Sequence, residues 1–193
     1  WGGSFENRAR LLKLILQKVR ETVGNNFILA VKINSSDFQK GGLEISDSIK
    51  IANLIEKENI DFIEVSGGNF EAPEAYQYVS LKESTKSREA YFLDAAKNIK
   101  ASLSIPIMVT GGFRSISVME DALTSLSTDL IGIGRPFVID PSFPCKLLNG
   151  DISVLPAVER NFPPAQDIPK GAVLNWFCDQ LALQGKTGKG DIN

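Results

Sequence analysis

Two short runs carry residue types able to hold an anion. "VTGGFRS" (109–115) closes an apolar stretch with adjacent glycines, and "DLIGIGRPF" (129–137) repeats the pattern one β–α length later, with an arginine after the last glycine. Glycine weakens a strand end, because the backbone gains freedom and loses a side chain to pack. Something at these positions needs bare main chain. At the C-terminal end of a parallel strand, Gly111, Gly112, Gly132 and Gly134 would let a dianion approach the amide N–H groups with no Cβ in the way. The helix that follows turns its positive end toward the same anion. Arg135 adds a permanently charged, forked donor. Tight turning alone also explains glycine at one strand end. Its recurrence on consecutive strands, beside an arginine, favours phosphate.

Lys32 raises a second question, because it lies in the otherwise apolar run "LAVKIN". A lysine there is costly unless its ammonium is paired or reaches the open end of the strand. Its place near that end suggests a site. Glu64, in "FIEVSGG", poses the same problem with opposite sign, and the two could neutralise one another across neighbouring strands, which would be structural. Snorkelling to solvent is the other simple account of Lys32.

The chain has 193 residues and no histidine, so it supplies no imidazole base, imidazole metal ligand or serine–histidine pair. Its 21 basic and 23 acidic residues give a net charge of -2, with no dense basic run to suggest nucleic acid. No apolar stretch approaches a membrane span, and "WGGSFENRAR" has no signal-peptide core. Cys145 and Cys178 fit no metal spacing and read as reduced thiols of a cytoplasmic protein.

Positioning such residues requires a framework, and the hydrophobic periodicity supplies one. Helical spacing over 4–24 is followed by strands at 27–34, 61–68, "IPIMVTGG" and "DLIGIG", separated by helices near 45–58, 88–102 and 116–126. Alternating strands and helices, with strands that look buried on both faces, predict a parallel α/β sheet whose C-terminal edge carries the ligand residues. The stretch 69–87 has no period and reads as a long surface loop. In "SREAYFLDAAKNIK", Ala90, Leu93 and Ile99 form an amphipathic face, with Tyr91 and Phe92 packing against the barrel wall. Beyond residue 140 a short helix, a Pro-rich connector, a helix over 171–184 with a docking pair Trp176 and Phe177, and a frayed tail are expected. "GIGRPF" lacks the last glycine of a dinucleotide fingerprint. Four strands make half of an eight-stranded barrel, as if the chain were cut from something longer.

Taken together, "WGGSFENRARLLKLILQKVRETVG", "VTGGFRS" and "DLIGIGRPFVIDPSFPCKLL" resemble the Old Yellow Enzyme family of FMN-dependent NADH:flavin oxidoreductases over residues 1 to about 150. The resemblance implies a (β/α)8 TIM-barrel fold of which only the C-terminal half is present, with strands five to eight in 1–140 and a helical extension and tail in 141–193 of a single partial domain. It implies FMN as cofactor and NADH or NADPH as hydride donor to an activated alkene or similar acceptor. By the same resemblance Gly111, Gly112 and Phe113 match the strand-seven phosphate turn, and Gly134 and Arg135 the strand-eight turn. Lys32 stands where the family generally carries an arginine beside the flavin N1–C2 edge. Ser66 and Gly68 end strand six near ring and phosphate. The family's substrate-orienting and proton-donating residues belong to the N-terminal half, so catalytic residues are expected outside this chain. Two other functions fit the residues: a barrel that binds a sugar phosphate, or a catalytically incomplete half-barrel acting as an assembly partner. A half-barrel exposes two sheet edges and a broad apolar inner face, so the N-terminal half-barrel or self-association is expected to cover them.

Overall fold

A computed structural model describes residues 1–68, 89–163, 167, 169 and 171–187. Helix α1 (Phe5–Val23) leads into β1 (Ala30–Asn34), α2 (Ile45–Glu56) and β2 (Phe62–Ser66). Then come α3 (Leu93–Lys100), β3 (Ile107–Thr110), α4 (Ile116–Thr124) and β4 (Leu130–Gly132). Three helices follow, α5 (Arg135–Ile139), α6 (Phe143–Leu148) and α7 (Ala172–Thr187), with a 3-10 turn at Val158–Asn161 before the last. The loop read over 69–87 lies outside the described residues, as do 188–193 of the tail.

The four strands form one sheet in the order β1-β2-β3-β4, every pair parallel. That is the order in which a βα barrel is wound, since each right-handed crossover sets the next strand beside the last. Val31, Ile33, Ile63, Val65, Ile107 and Val109 are buried in a core shared with Leu16 of α1, Ala52 and Ile55 of α2, Ala96 and Ile99 of α3, and Met119 and Ala122 of α4. Alternate residues point the other way. Lys32, Glu64, Met108 and Leu130 are register partners in a row across the second face.

Among the described residues helices cover one face, and the expectation of strands buried on both faces fails at the edge, where β1 reads exposed, buried, exposed, buried, while the second-face residues of β2 and β3 are half-buried. The second face is mixed rather than wholly apolar as expected, with the Lys32–Glu64 ion pair in the same row as Met108 and Leu130. Boundaries also move, and one helix is added. β1 starts at Ala30 rather than residue 27, leaving Phe27 and Ile28 exposed before it. α3 starts at Leu93 rather than 88, because Ala90 takes a positive φ of 53° that no helix continues through. α5 was missed, although Pro136 in its first turn is a recognisable helix start.

Candidate functional site

The C-terminal edge of the sheet gathers the residues picked out above into two neighbouring groups. The first lies over β1 and β2. Lys32 Nζ is 2.7 Å from Glu64 Oε1, directly across the strand pair. Two residues further on, Asn34 donates from Nδ2 to the Gly68 carbonyl at 2.8 Å and to Asp37 Oδ1 at 3.1 Å. The Ser66 hydroxyl reaches Asn34 Oδ1 at 3.4 Å, and the Gly68 amide donates to the Ser36 carbonyl at 2.9 Å. Ser66 and Gly68 are thus tied to the tip of β1 through Asn34, which the sequence reading passed over. A polar side chain at the last position of a strand was the available signal.

The second group lies over β3 and β4, whose last residues Thr110 and Gly132 are register partners. Their chain continuations, Gly111–Gly112 and Ile133–Gly134, leave the sheet from adjacent strands. The glycines here are not equivalent. Gly111 has φ +143° and an added Cβ would come within 2.7 Å of the Phe92 ring; Gly112 has φ +84° and would meet the Tyr91 ring at 2.7 Å. Gly67, at the tip of β2, faces Phe92 in the same way at 2.6 Å. These glycines are fixed by backbone conformation and by the aromatic pair beneath them. Gly134 is different: its φ is -110°, it is exposed, and among the described residues nothing lies within 4 Å of the position a Cβ would take. Arg135 follows it at the first position of α5. Phe113 is 1% exposed and belongs to the core, so only its main chain is available to a ligand.

The positive end of α4 is not aimed at an empty edge, as the sequence suggested. Glu89 Oε2 accepts from the amides of Arg114 and Ser115 at 2.7 Å each, and Oε1 accepts from the Ser115 hydroxyl. Burial works against the Glu89 charge, but the Ser115 hydroxyl, the two amides and the charge of Arg114 outweigh it and hold the carboxyl below its ordinary value. Sequence reasoning missed Glu89, which in "SREAYF" looks like part of a solvated helix face. Among the described residues no cluster of His, Cys, Asp and Glu could hold a metal ion.

A parallel sheet with helices on one face, strands in sequential order and glycine tips along its C-terminal edge is half of a βα barrel. The chain belongs to the NADH:flavin oxidoreductase / NADH oxidase family, whose profile matches residues 1–151. It is 35% identical over 153 residues to an NADH-dependent flavin oxidoreductase of Neonectria sp., a match covering 75% of this chain and 20% of that protein. A 34% identity over 166 residues links it to an NADH-dependent flavin oxidoreductase of Aspergillus parasiticus, covering 83% of this chain and 36% of the relative. Among solved structures, a 2-naphthoyl-CoA reductase complex superposes with a TM-score of 0.71 at 32% identity, over 80% of this chain and 23% of that one. The Old Yellow Enzyme homologue of Zymomonas mobilis shares the fold with a TM-score of 0.58 at 22% identity, over 89% and 44% of the two chains. The chain therefore spans less than half the length of each of these proteins.

Proposed function

We propose that this chain supplies the FMN phosphate site and one edge of the flavin ring in an Old Yellow Enzyme-type oxidoreductase that moves hydride from NADH or NADPH to an activated alkene or similar acceptor. The observation that carries the reading is Gly134. Glycine suits the N-cap of α5, but neither a left-handed φ nor any contact among the described residues requires it there, and the main chain before Arg135 is left open for an anion to lie against. The donor set fits FMN: bare main chain at Gly111, Gly112, Phe113 and Gly134, a guanidinium at Arg135 for the phosphate, and an ammonium at Lys32 for the ring edge. Thr110 Oγ1, a buried hydroxyl oxygen packed against Gly132, has no hydrogen-bond partner among the described residues and is a further polar atom in want of one.

Bound there, the flavin would supply two-electron hydride chemistry, and the protein would supply position and electrostatics. Lys32 would place positive charge beside the edge where negative charge grows on reduction, with Glu64 holding its ammonium on the open face of the sheet. Ser66 and Gly68, anchored through Asn34, would shape the floor beside it. Substrate polarisation and proton donation fall to residues outside this chain.

That division of labour also assigns a partner. β1 and β4 are both edge strands, and the apolar residues Leu11, Leu14 and Ile15 of α1 and Leu130 and Phe137 at the far side are exposed. A complementary N-terminal half-barrel is the partner these edges suit. Exposed free thiols at Cys145 and Cys178 suit a reducing, cytoplasmic setting, and among the described residues no helix is long and apolar enough to cross a membrane.

The test is a titration of the chain with FMN and with riboflavin, which has the same ring and no phosphate. FMN should bind more tightly, and Gly134→Val should weaken FMN without weakening riboflavin or lowering thermal stability. Equal binding of the two flavins, or indifference to Gly134→Val, would overturn the assignment.

A further inference from the structure

We infer that Glu89 is a positioning residue for the phosphate turn, acting on a ligand it does not touch; the inference rests on the reading that the tips of β3 and β4 hold a flavin phosphate. The connection from Thr110 to Ile116 is five residues long and contains two glycines with positive φ, so its own conformational preferences leave it loose. It is held from two sides. On one, the Leu155 amide donates to the Arg114 carbonyl at 2.8 Å, and the Ile116 amide to the Ser153 carbonyl at 2.9 Å. On the other, one Glu89 carboxylate takes both amides of Arg114 and Ser115 and the Ser115 hydroxyl.

The carboxylate therefore occupies the donors at the head of α4 and fixes their directions. An anion at the tip is left the amides that precede them, at Gly112 and Phe113. The residues next to Glu89 complete the arrangement, since the Tyr91 ring lies against Gly112 and the Phe92 ring against Gly111 and Gly67. One four-residue segment, Glu89–Phe92, thus sets the ends of β2 and β3 and the start of α4. A carboxylate so near a phosphate turn would otherwise repel the ligand, but Arg114, itself 6% exposed, offsets its charge.

The experiment measures the ratio of riboflavin to FMN dissociation constants for the full chain by flavin fluorescence. Glu89→Gln keeps the shape but removes the charge: the two amides are left a neutral carbonyl oxygen, and the contact with the Ser115 hydroxyl must reverse, with the Gln NH2 donating to it. The ratio should fall by roughly tenfold or more, with riboflavin affinity itself within about twofold of wild type. A folded Glu89→Gln with an unchanged ratio overturns this inference and leaves the phosphate assignment standing. A wild-type chain that does not prefer FMN overturns both. Should Glu89→Gln fail to fold, Ser115→Ala removes a single tie to the carboxylate: a ratio lowered by roughly two- to threefold supports the inference, and an unchanged one overturns it.

Discussion

In Gly112→Ala the new Cβ would lie 2.7 Å from Tyr91 Cε2 and 2.8 Å from Cζ, on a backbone with φ +84°. Two separable costs follow. Holding an L-residue with a Cβ at left-handed φ costs about 1–2 kcal/mol. Forcing a methyl against a ring that is itself packed costs about 1–3 kcal/mol. Together they predict a loss of about 2–5 kcal/mol, read from the midpoint shift in urea denaturation. Tyr91→Ala removes the ring, so in that background only the backbone part should remain, and Gly112→Ala should cost about 1–2 kcal/mol. The difference between the two backgrounds is the coupling energy of a double-mutant cycle, expected at about 1–3 kcal/mol. A cost for Gly112→Ala that is the same in both backgrounds to within about 0.5 kcal/mol would refute the claim that the ring dictates this glycine.

Two other outcomes follow from the same geometry. Glu89 and Asp129 both have carboxyls held below their ordinary values of 4.5 and 3.8. Burial opposes each charge, and the Ser115 hydroxyl with two amides, or the Lys100 ammonium with the Ile107 amide, overcomes it. A depressed folded-state pKa means the unfolded chain binds protons first as pH falls. Their stabilisation is therefore complete above about pH 4.5 and is lost as pH drops through the folded values, and thermal melts of Glu89→Gln should show a shallower acid slope than wild type. Lys32→Met should change stability by no more than about 1 kcal/mol, because its ion pair is half exposed, yet weaken FMN and riboflavin alike in fluorescence titrations, since Lys32 is assigned to the ring edge and not the phosphate.

The order of elements was legible because each strand and helix carries its own hydrophobic period, and those periods are local. Strand burial was misjudged for a reason periodicity cannot reach: "AVKIN" alternates only once its lysine is known to face away from the helices. The glycine pair at 111–112 announced a need for bare backbone, yet the objects that create the need are rings at 91 and 92, brought there by the fold. The assignment of Gly134 and Arg135 to an anion rests on their adjacency in sequence. Glu89 could not, because nothing local distinguishes a carboxylate that binds two distant amides from one that faces water.

The family match stops at residue 151, yet the residues just beyond it meet the tip of β3: Ser115 bridges Val154 antiparallel, and Leu155 is 2% exposed. They work as a brace, tied to the loop by the Leu155–Arg114 and Ile116–Ser153 main-chain hydrogen bonds. If the turn holds an anion as proposed, divergence in this downstream stretch would retune the grip on it while every recognisable motif residue stays the same.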